Sequence, residues 1–261
     1  MAGYQTLARY YDSFFEPGYL QKLHTAYARL LHAAGVPAGA RVLDAGCGTG
    51  LLSLALHKAG YDVYGLDLSE NMVDTAREKA AAAGLAPERF QVADAARFAL
   101  DLEFDAVVSA LDVVNHILSP QDVLGVFRNV YRHLRAGGVY IFDVNTEKRF
   151  RLEYGENIYV YETDGCYCVW KNAYEPDLGV CRMDLDLFEK RGDAYVRSTD
   201  ALYERLYRGA LLRKLLRYAG FGRIREERAE RGCRKIYTAK NKSGFIGAPS
   251  VKKLHREYMY K

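Results

Sequence analysis

The stretch from Val42 to Gly50 reads VLDAGCGTG, and it decides how the rest of this 261-residue chain is interpreted. An apolar run ends in an acid, and three glycines then follow at Gly46, Gly48 and Gly50. Strands that end in glycines and open into a helix bind nucleotides in doubly wound α/β folds, because glycine allows a tight turn and a close approach to the main chain. The stretch therefore predicts a nucleotide-like ligand at the end of a strand, with a plain strand–helix turn as the alternative.

Strand-like and helix-like segments alternate after this stretch. The expected strands are RVLDAG, DVYGLDLS, FQVADA, FDAVVSAL and VYIFDVN, and the segments between them have helical spacing. Helical spacing returns near Leu211 and ends at Gly220, and two further strand-like runs follow. This alternation predicts an α/β fold with a doubly wound, Rossmann-like, mostly parallel seven-stranded sheet.

The pattern changes between the fifth strand and the last helix. Apolar and polar residues alternate there, and the turn sequences TDG, PDLG and RGD separate the runs, which indicates antiparallel hairpins. We therefore expect an N-terminal helical cap over 1–35, a core formed by 36–150 and 208–240, an antiparallel β insertion over 151–207 that covers the acceptor side, and a basic tail over 241–261.

Two acids and the glycine spacing narrow the ligand. Asp67 and Asp94 end the next two predicted strands, where one carboxylate can hold a ribose diol and the other an adenine amino group. The third glycine of a dinucleotide motif is replaced by Leu51, and no G-K-S or G-K-T follows. Asp44 would repel a pyrophosphate but can bind an ammonium group. The expected ligand is a nucleoside joined to an amino acid, without phosphates.

These motifs resemble a known family. VLDAGCGTG, YGLDLSENMV, QVADA, FDAVVSALDVVNHI and LRAGGVYIFDV are similar to the class I S-adenosylmethionine-dependent methyltransferases, over roughly residues 40–145 and again at the last helix and strands. The N-terminal YQTLARYYDSFF and the β-rich insertion resemble a subgroup of small bacterial members. The resemblance implies S-adenosylmethionine as cofactor and a small-molecule acceptor, methylated on oxygen or nitrogen rather than carbon.

The resemblance also assigns residues to the cofactor. The methionine portion would be held by the glycine loop and the N-terminal helix, the ribose by an acid, and the adenine and sulfonium by side chains at the strand ends. The residues implied are Tyr11, Asp44, Ala45, Gly46, Cys47 and Gly48 for the methionine portion, Asp67 for the ribose, Leu68, Met72, Asp94 and Ala95 for the adenine, and Ala110 and Leu111 beside the sulfonium.

Other residues are candidates for chemistry on the acceptor. His116 and Asp112 lie just past the fourth strand, where an imidazole could remove a proton and Asn115 could orient the acceptor. The alternative for His116 is a helix cap or a gap-filling side chain. Candidates that would line the acceptor pocket are Tyr10, Asp143, Tyr161 and Trp170, although aromatic residues at these spacings also form ordinary core.

Composition limits the remaining possibilities. Hydrophobic residues make up 49% of the chain and charged residues 27%, as in soluble globular proteins. We expect no membrane span, no secretory signal and a cytoplasmic location. The five cysteines form no C-x-x-C pair, so no metal site is expected. Unprotected edges of the inserted sheet leave monomer and homodimer both open.

Two rival functions remain. The basic stretch Arg205–Lys235 and the basic tail favour methylation of RNA, most simply tRNA. Against it, the N-P-P-[YF] motif common in enzymes that modify base amino groups is absent, and LDVVNH stands in its place. The second rival is a non-catalytic regulatory protein that binds S-adenosylmethionine.

Overall fold

The computed structural model describes residues 7–241 and contains two sheets. Seven strands form the larger sheet in the order β10-β11-β5-β4-β1-β2-β3, and β11 alone runs antiparallel to its neighbours. The predicted fold class is confirmed. The strands are β1 Arg41–Ala45, β2 Asp62–Asp67, β3 Phe90–Val92, β4 Phe104–Ser109, β5 Leu134–Asn145, β6 Ile158–Glu162, β7 Cys166–Glu175, β8 Val180–Arg191, β9 Ala194–Arg205, β10 Phe221–Ala229 and β11 Arg234–Asn241.

Helices cover both faces of this sheet. One face packs against α4 and α6 and the other against α1 and α2, which makes the sheet doubly wound. Ser69 caps α3, because its side chain accepts a hydrogen bond from the Met72 N–H. The helices are α1 Tyr19–Ala33, α2 Leu51–Lys58, α3 Glu70–Ala82, α4 Pro120–His133, α5 Glu147–Arg149, which continues as a π turn over Phe150–Tyr154, and α6 Gly209–Ala219.

Gly137 and Gly138 lie inside a strand, although paired glycines after a helical run are typical of a helix end. Helix α4 ends at His133, and Gly137 and Gly138 lie within β5 instead of closing the helix. A Cβ on Gly138 would lie 2.9 Å from the Arg135 carbonyl oxygen and 3.1 Å from that of Asp105. The glycine therefore lets β5 come close to the start of β4.

The smaller sheet is the antiparallel insertion, with strand order β6-β7-β8-β9. Its buried face includes Cys168, Met183 and Leu185, and these pack with Phe150 and with Leu7 from the N-terminal 3-10 turn Leu7–Arg9. The insertion and the N-terminal segment therefore share a second core. Within residues 7–241, no helix has both the length and the apolar character to cross a membrane. The predicted basic tail falls outside the described residues.

Candidate cofactor and acceptor site

The glycine loop after β1 is held by the end of β2. The N–H groups of Gly46 and Cys47 both donate to the Leu66 carbonyl, at 2.7 and 2.9 Å, and the Gly48 N–H donates to Asp67 Oδ2 at 2.9 Å. The sequence predicted a close approach of a ligand to the main chain of this loop. In the structure these three groups instead fix the shape of the loop before any ligand arrives.

Glycine is needed at each of the three positions of the loop for a different structural reason. A Cβ on Gly46 would lie 2.5 Å from a methyl group of Val113, so this glycine lets the segment after β4 cross the loop. A Cβ on Gly48, at φ +53°, would meet no atom within 4 Å. Gly48 is therefore the position that borders open space and leaves room for a ligand. Gly50 instead allows α3 to pack closely, because its Cβ would lie 3.0 Å from that of Ala76.

Asp44 is a buried carboxyl beside this loop. It is 1% exposed, and the Ser53 hydroxyl donates to its Oδ2 at 2.6 Å. Burial raises the pKa of Asp44 to about 7, with a further contribution from the nearby Asp67 carboxylate, while the bond from Ser53 acts in the opposite direction. A cation placed beside Asp44 would favour the ionised form.

The ends of β2 and β3 form the next part of the site. Asp67 Oδ1 accepts from the Ser69 N–H at 2.9 Å, and burial raises its pKa against the effect of its hydrogen bonds. Leu68 and Val92 each keep 46% of their surface exposed beside this acid. Sequence reasoning did not single out Val92, although its pairing with Asp67 follows from the register of the two strands.

The other three predicted adenine contacts lie close to these strand ends. Met72 is 2% exposed in α3, below the surface. The Asp94 side chain is 42% exposed and its Oδ1 accepts from the Ala96 N–H at 2.8 Å. Ala95 is half-buried, and its carbonyl accepts from the Asn129 amide at 3.3 Å. Exposed apolar surface next to two acids fits an adenosine, whose base is flat and whose sugar carries a diol.

The segment after β4 is held in an unusual conformation. Leu111 and Asp112 have φ values of +60° and +59°, a backbone region that residues other than glycine rarely adopt. The two oxygens of Asp143 accept their N–H groups at 3.0 and 2.8 Å. Asp143 also accepts from the Tyr27 hydroxyl at 2.6 Å and pairs with Arg234.

These contacts change the role expected for Asp143. The sequence suggested that it lines the acceptor pocket, but it is 0% exposed and its oxygens are occupied by protein donors. It therefore positions the segment after β4, where Leu111 and Asp112 lie. Ala110, at the start of that segment, is buried at 7% exposure.

Arg234 is the principal site residue that sequence reasoning missed. Its guanidinium is 2% exposed and contacts Asp112 Oδ1 at 3.0 Å and Glu230 Oε1 at 3.1 Å, in addition to Asp143. Burial opposes ionisation of Asp112, but the nearby basic side chains, led by Arg234 and including Arg149, together outweigh it and lower the pKa of this acid. In the sequence Arg234 appears only as one member of a basic stretch, and two of its partners, Asp112 and Asp143, are distant along the chain.

His116 and Glu204 complete a cluster around Asp112. His116 Nδ1 lies 3.1 Å from the Tyr203 carbonyl oxygen. Because a carbonyl oxygen can only accept a hydrogen bond, Nδ1 carries the proton of the neutral imidazole. The other ring nitrogen, Nε2, lies 3.9 Å from Asp112 Oδ2. Glu204 is 2% exposed, and the Tyr154 hydroxyl donates to it at 2.9 Å. One oxygen or nitrogen each from Asp112, His116 and Glu204 lie within 4.8 Å of one another. We call these three residues the acidic triad.

Asn115 links the strands that carry the triad. Its amide donates to the Arg205 carbonyl at 2.8 Å and accepts from the Asn145 N–H at 2.9 Å, and it is 0% exposed. In this structure it braces β5 and β9 instead of facing a pocket. Its predicted role in orienting the acceptor is therefore indirect.

The N-terminal turn Tyr11–Phe14 joins the insertion to the core. Tyr10 donates to Glu189 at 2.8 Å, and the Phe14 ring stacks on Tyr161 at 5.1 Å between centroids. Tyr161 in turn meets Trp170 edge-on at 6.2 Å. Tyr10 and Tyr161 therefore take part in the contact between the N-terminal segment and the insertion, and Trp170 packs against Tyr161 within the insertion.

Tyr11 and Asp12 lie on the side of this turn that faces the core. Burial, followed by the charge of Asp112, raises the pKa of Tyr11. Asp12 accepts from the Thr49 hydroxyl at 2.6 Å and pairs with Lys79 of α3. The turn is therefore fastened directly onto the glycine loop.

The strand order, the glycine loop and the acids at the ends of β1 to β3 define a Rossmann-like methyltransferase fold. Comparison with known proteins agrees. The sequence model of the family described as Methyltransferase domain matches residues 42–138. The "Putative methyltransferase YqeM" of Bacillus subtilis is 30% identical over 190 residues, which are 72% of this chain and 76% of that protein.

Two further proteins are similar over different lengths. A ubiquinone biosynthesis O-methyltransferase of Methylococcus capsulatus is 33% identical over 51% of this chain and 55% of its own. The crystal structure of an S-adenosylmethionine-dependent methyltransferase from Clostridium acetobutylicum matches the fold with a TM-score of 0.77 and 24% identity, over 91% of this chain and 96% of that one. The chain belongs to the class I S-adenosylmethionine-dependent methyltransferases, enzymes whose cofactor is S-adenosylmethionine.

Proposed function

We propose that this enzyme methylates an oxygen or nitrogen atom of a small-molecule acceptor. The observation that carries the proposal is the acidic triad: three proton-accepting side chains converge at the end of β4, beside the glycine loop, and Glu204 comes from the insertion. A site that closes between core, insertion and N-terminal turn suits a small ligand.

The residues present fit the cofactor. Gly48 borders open space, Asp44 is a buried acid that gains by meeting an ammonium group, and exposed Leu68 lies beside Asp67. We assign Asp44 to the amino group of the methionine portion, Asp67 to the ribose hydroxyls, and Leu68 with Asp94 to the adenine. We also assign Tyr11 and Leu111 to the cofactor, because Asp12 of the same turn bonds to Thr49 of the loop and Val113 of the segment after β4 lies against Gly46.

The chemistry divides between cofactor and chain. Bound S-adenosylmethionine supplies an activated methyl group, and the protein supplies binding and orientation. Holding the acceptor atom in line with that methyl group removes several kcal/mol of the barrier. His116 Nε2 is the atom placed to take the acceptor's proton, and Asp112 stabilises the resulting imidazolium across 3.9 Å. Arg234 and Asp143 hold Asp112 in position.

RNA methylation loses part of its support. Arg234 is buried among acids, Arg213 and Lys235 pair with Glu226, and the Arg205 guanidinium donates to the Leu118 carbonyl. These members of the basic stretch have partners within the protein, so they do not form an open phosphate-binding face. Family membership likewise favours an enzyme over a non-catalytic binding protein.

Turnover tests the proposal directly. The purified enzyme would be incubated with S-adenosylmethionine labelled in its methyl group, once with a bacterial metabolite extract and once with bulk tRNA. We expect label in a small molecule, identified by mass, and a loss of at least about tenfold in His116→Asn, since a positioned base contributes about 10²–10⁴-fold. Label in tRNA alone would replace the proposal with its rival.

A further inference from the structure

Buried acids outnumber buried bases on the acceptor side. Glu204 and Asp143 are 2% and 0% exposed and the Asp112 side chain is 14% exposed, whereas Arg234 is the guanidinium that faces them. The neighbouring Arg149 is already matched by pairs with Glu153 and Glu230. A buried carboxylate without a compensating cation is costly, so this region gains from one more positive charge.

The proton that Glu204 retains agrees with this imbalance. Burial, followed by the charge of Asp112, raises the pKa of Glu204 well above its ordinary value, while bonds from Asn145 and Tyr154 act in the opposite direction. A raised pKa favours the protonated form of Glu204, in which a proton neutralises the carboxylate. A cationic ligand would replace that proton.

The geometry indicates what kind of cation would fit. His116 Nε2 and the carboxylate oxygens of Asp112 and Glu204 all accept hydrogen bonds, and they converge within 4.8 Å. An ammonium group offers several N–H donors on one atom, whereas a hydroxyl offers one. A divalent metal ion is less suited, because Arg234 already donates to Asp112 Oδ1, and Asn145 and Tyr154 donate to the two oxygens of Glu204.

An unpaired buried acceptor lies beside Glu204. Asn145 Nδ2 donates to Glu204 at 2.9 Å, and the other side of the same amide, Oδ1, is buried and has no hydrogen-bond donor among residues 7–241. Buried polar atoms are seldom left without a partner, so an unmet acceptor next to the triad points to a donor-bearing ligand.

We propose that Glu204, with Asp112 and His116, binds the cationic nitrogen of the acceptor, which makes the substrate an amine rather than an alcohol. This inference rests on the methyl transfer proposed above and specifies its acceptor atom. Glu204 thereby becomes an acceptor-binding residue that the insertion supplies.

The reaction balances without a further reagent. The bound ammonium gives one proton to His116 Nε2 and becomes a neutral amine. Its nitrogen lone pair forms the new N–C bond to the methyl carbon while the C–S bond breaks, and the electron pair of that bond remains on sulfur. The positive charge of the sulfonium thus ends on the methylated nitrogen, which the two carboxylates stabilise.

Sinefungin provides a probe that requires no knowledge of the acceptor. This analogue of S-adenosylmethionine carries an amino group on a carbon that replaces the methylated sulfur, whereas S-adenosylhomocysteine has only a neutral sulfur there. Calorimetry would compare the two ligands with the wild type, Glu204→Gln and the matched control Glu175→Gln, which lies at the exposed end of β7 in the same insertion. We expect the wild type and the control to prefer sinefungin by about 10- to 100-fold, the worth of a charged hydrogen bond.

The variant separates the outcomes. Glu204→Gln should bind S-adenosylhomocysteine normally and lose most of the preference for sinefungin. A preference that persists in Glu204→Gln, or one that is absent from the wild type, overturns the assignment of Glu204. If neither ligand binds any protein, the proposed function fails together with the inference.

If Glu204→Gln does not fold, the wild-type preference for sinefungin is measured as a function of pH instead. The groups that face Glu204 are Asp112, His116, Tyr154 and Asn145. Burial raises the pKa of Glu204, and protonation of this carboxylate removes an acceptor, so the wild-type preference for sinefungin should rise with pH across the range in which the protein stays folded. A preference that is flat or falls over this range contradicts the proposal.

Discussion

Three aspartates near the carboxyl ends of β1, β2 and β5 have three different surroundings. Asp44 is buried with a serine, Asp67 ties the glycine loop to α3, and Asp143 is enclosed by protein donors. Their places at one edge of the sheet follow from the sequence, because each directly ends an apolar run. Their partners do not, since Tyr27 and Arg234 reach Asp143 from distant parts of the chain.

Replacing Asp44 by asparagine should separate stability from binding. The folded-state pKa of about 7 lies above the ordinary value, so the wild type is destabilised as pH rises from about 4 through 7. Asp44→Asn removes this cost, and we expect a higher melting temperature than the wild type at about pH 8 and no gain near pH 4. Equal melting curves at pH 8 would show that Asp44 ionises freely.

In Asp44→Asn, the affinity for the cofactor should fall, although the stability rises. Only ionised Asp44 can pair with the ammonium of S-adenosylmethionine, so wild-type affinity should fall by about tenfold per pH unit below 7. Asp44→Asn should bind weakly with little dependence on pH. Calorimetry between about pH 5.5 and 8 measures both curves, and parallel curves would remove Asp44 from the cofactor site.

Two glycines of the loop should respond differently to alanine. Gly46→Ala forces a Cβ against Val113 and should cost about 1–3 kcal/mol in the free energy of unfolding. Gly48→Ala should cost only about 1 kcal/mol of backbone strain but should weaken cofactor binding, because its Cβ enters the open space. Gly39→Ala is the control, with a similar φ of +75° and open surroundings. Unchanged affinity in Gly48→Ala would move the cofactor elsewhere.

Strand β11 contributes to the site through its first residue. Arg234→Met leaves Asp112 and Asp143 buried without their cation, and we expect a loss of about 3–5 kcal/mol in the free energy of unfolding. Arg213→Met, which breaks a half-exposed pair with Glu226, should cost at most about 1 kcal/mol. Urea unfolding of both variants measures the difference. Similar losses would show that the buried pairs do not hold the segment after β4.

Some elements could be predicted from the sequence more reliably than others. The hairpins of the insertion follow from alternation and turn residues, and β8 and β9 pair in register along their lengths. The end of α4 could not be predicted from its glycines, because the reason for Gly138 is the nearby backbone of Asp105. A contact between strands leaves no local pattern in the sequence.

The assembly of the site explains why its acceptor half was harder to predict than its cofactor half. The cofactor half comes from loops that follow β1, β2 and β3 in order, so each motif points to the same edge. The acceptor half combines Asp112, Glu204 and Arg234, which are far apart in sequence and meet only after the insertion and β11 are in place. Neither Glu204 nor Arg234 differs locally from the other charged residues of its strand.

Binding of S-adenosylmethionine to Asp67 is the most direct test of this account. Asp67 ends β2 and Asp62 begins it, where Asp62 pairs with Arg41 and Arg89 at the opposite edge of the sheet. By calorimetry we expect the wild type and Asp62→Ala to bind one cofactor with similar affinity, and Asp67→Ala to bind it about 10- to 100-fold more weakly while it stays folded. Equal affinity in all three proteins, or a greater loss of affinity in Asp62→Ala than in Asp67→Ala, would contradict a cofactor site at the carboxyl ends of the strands.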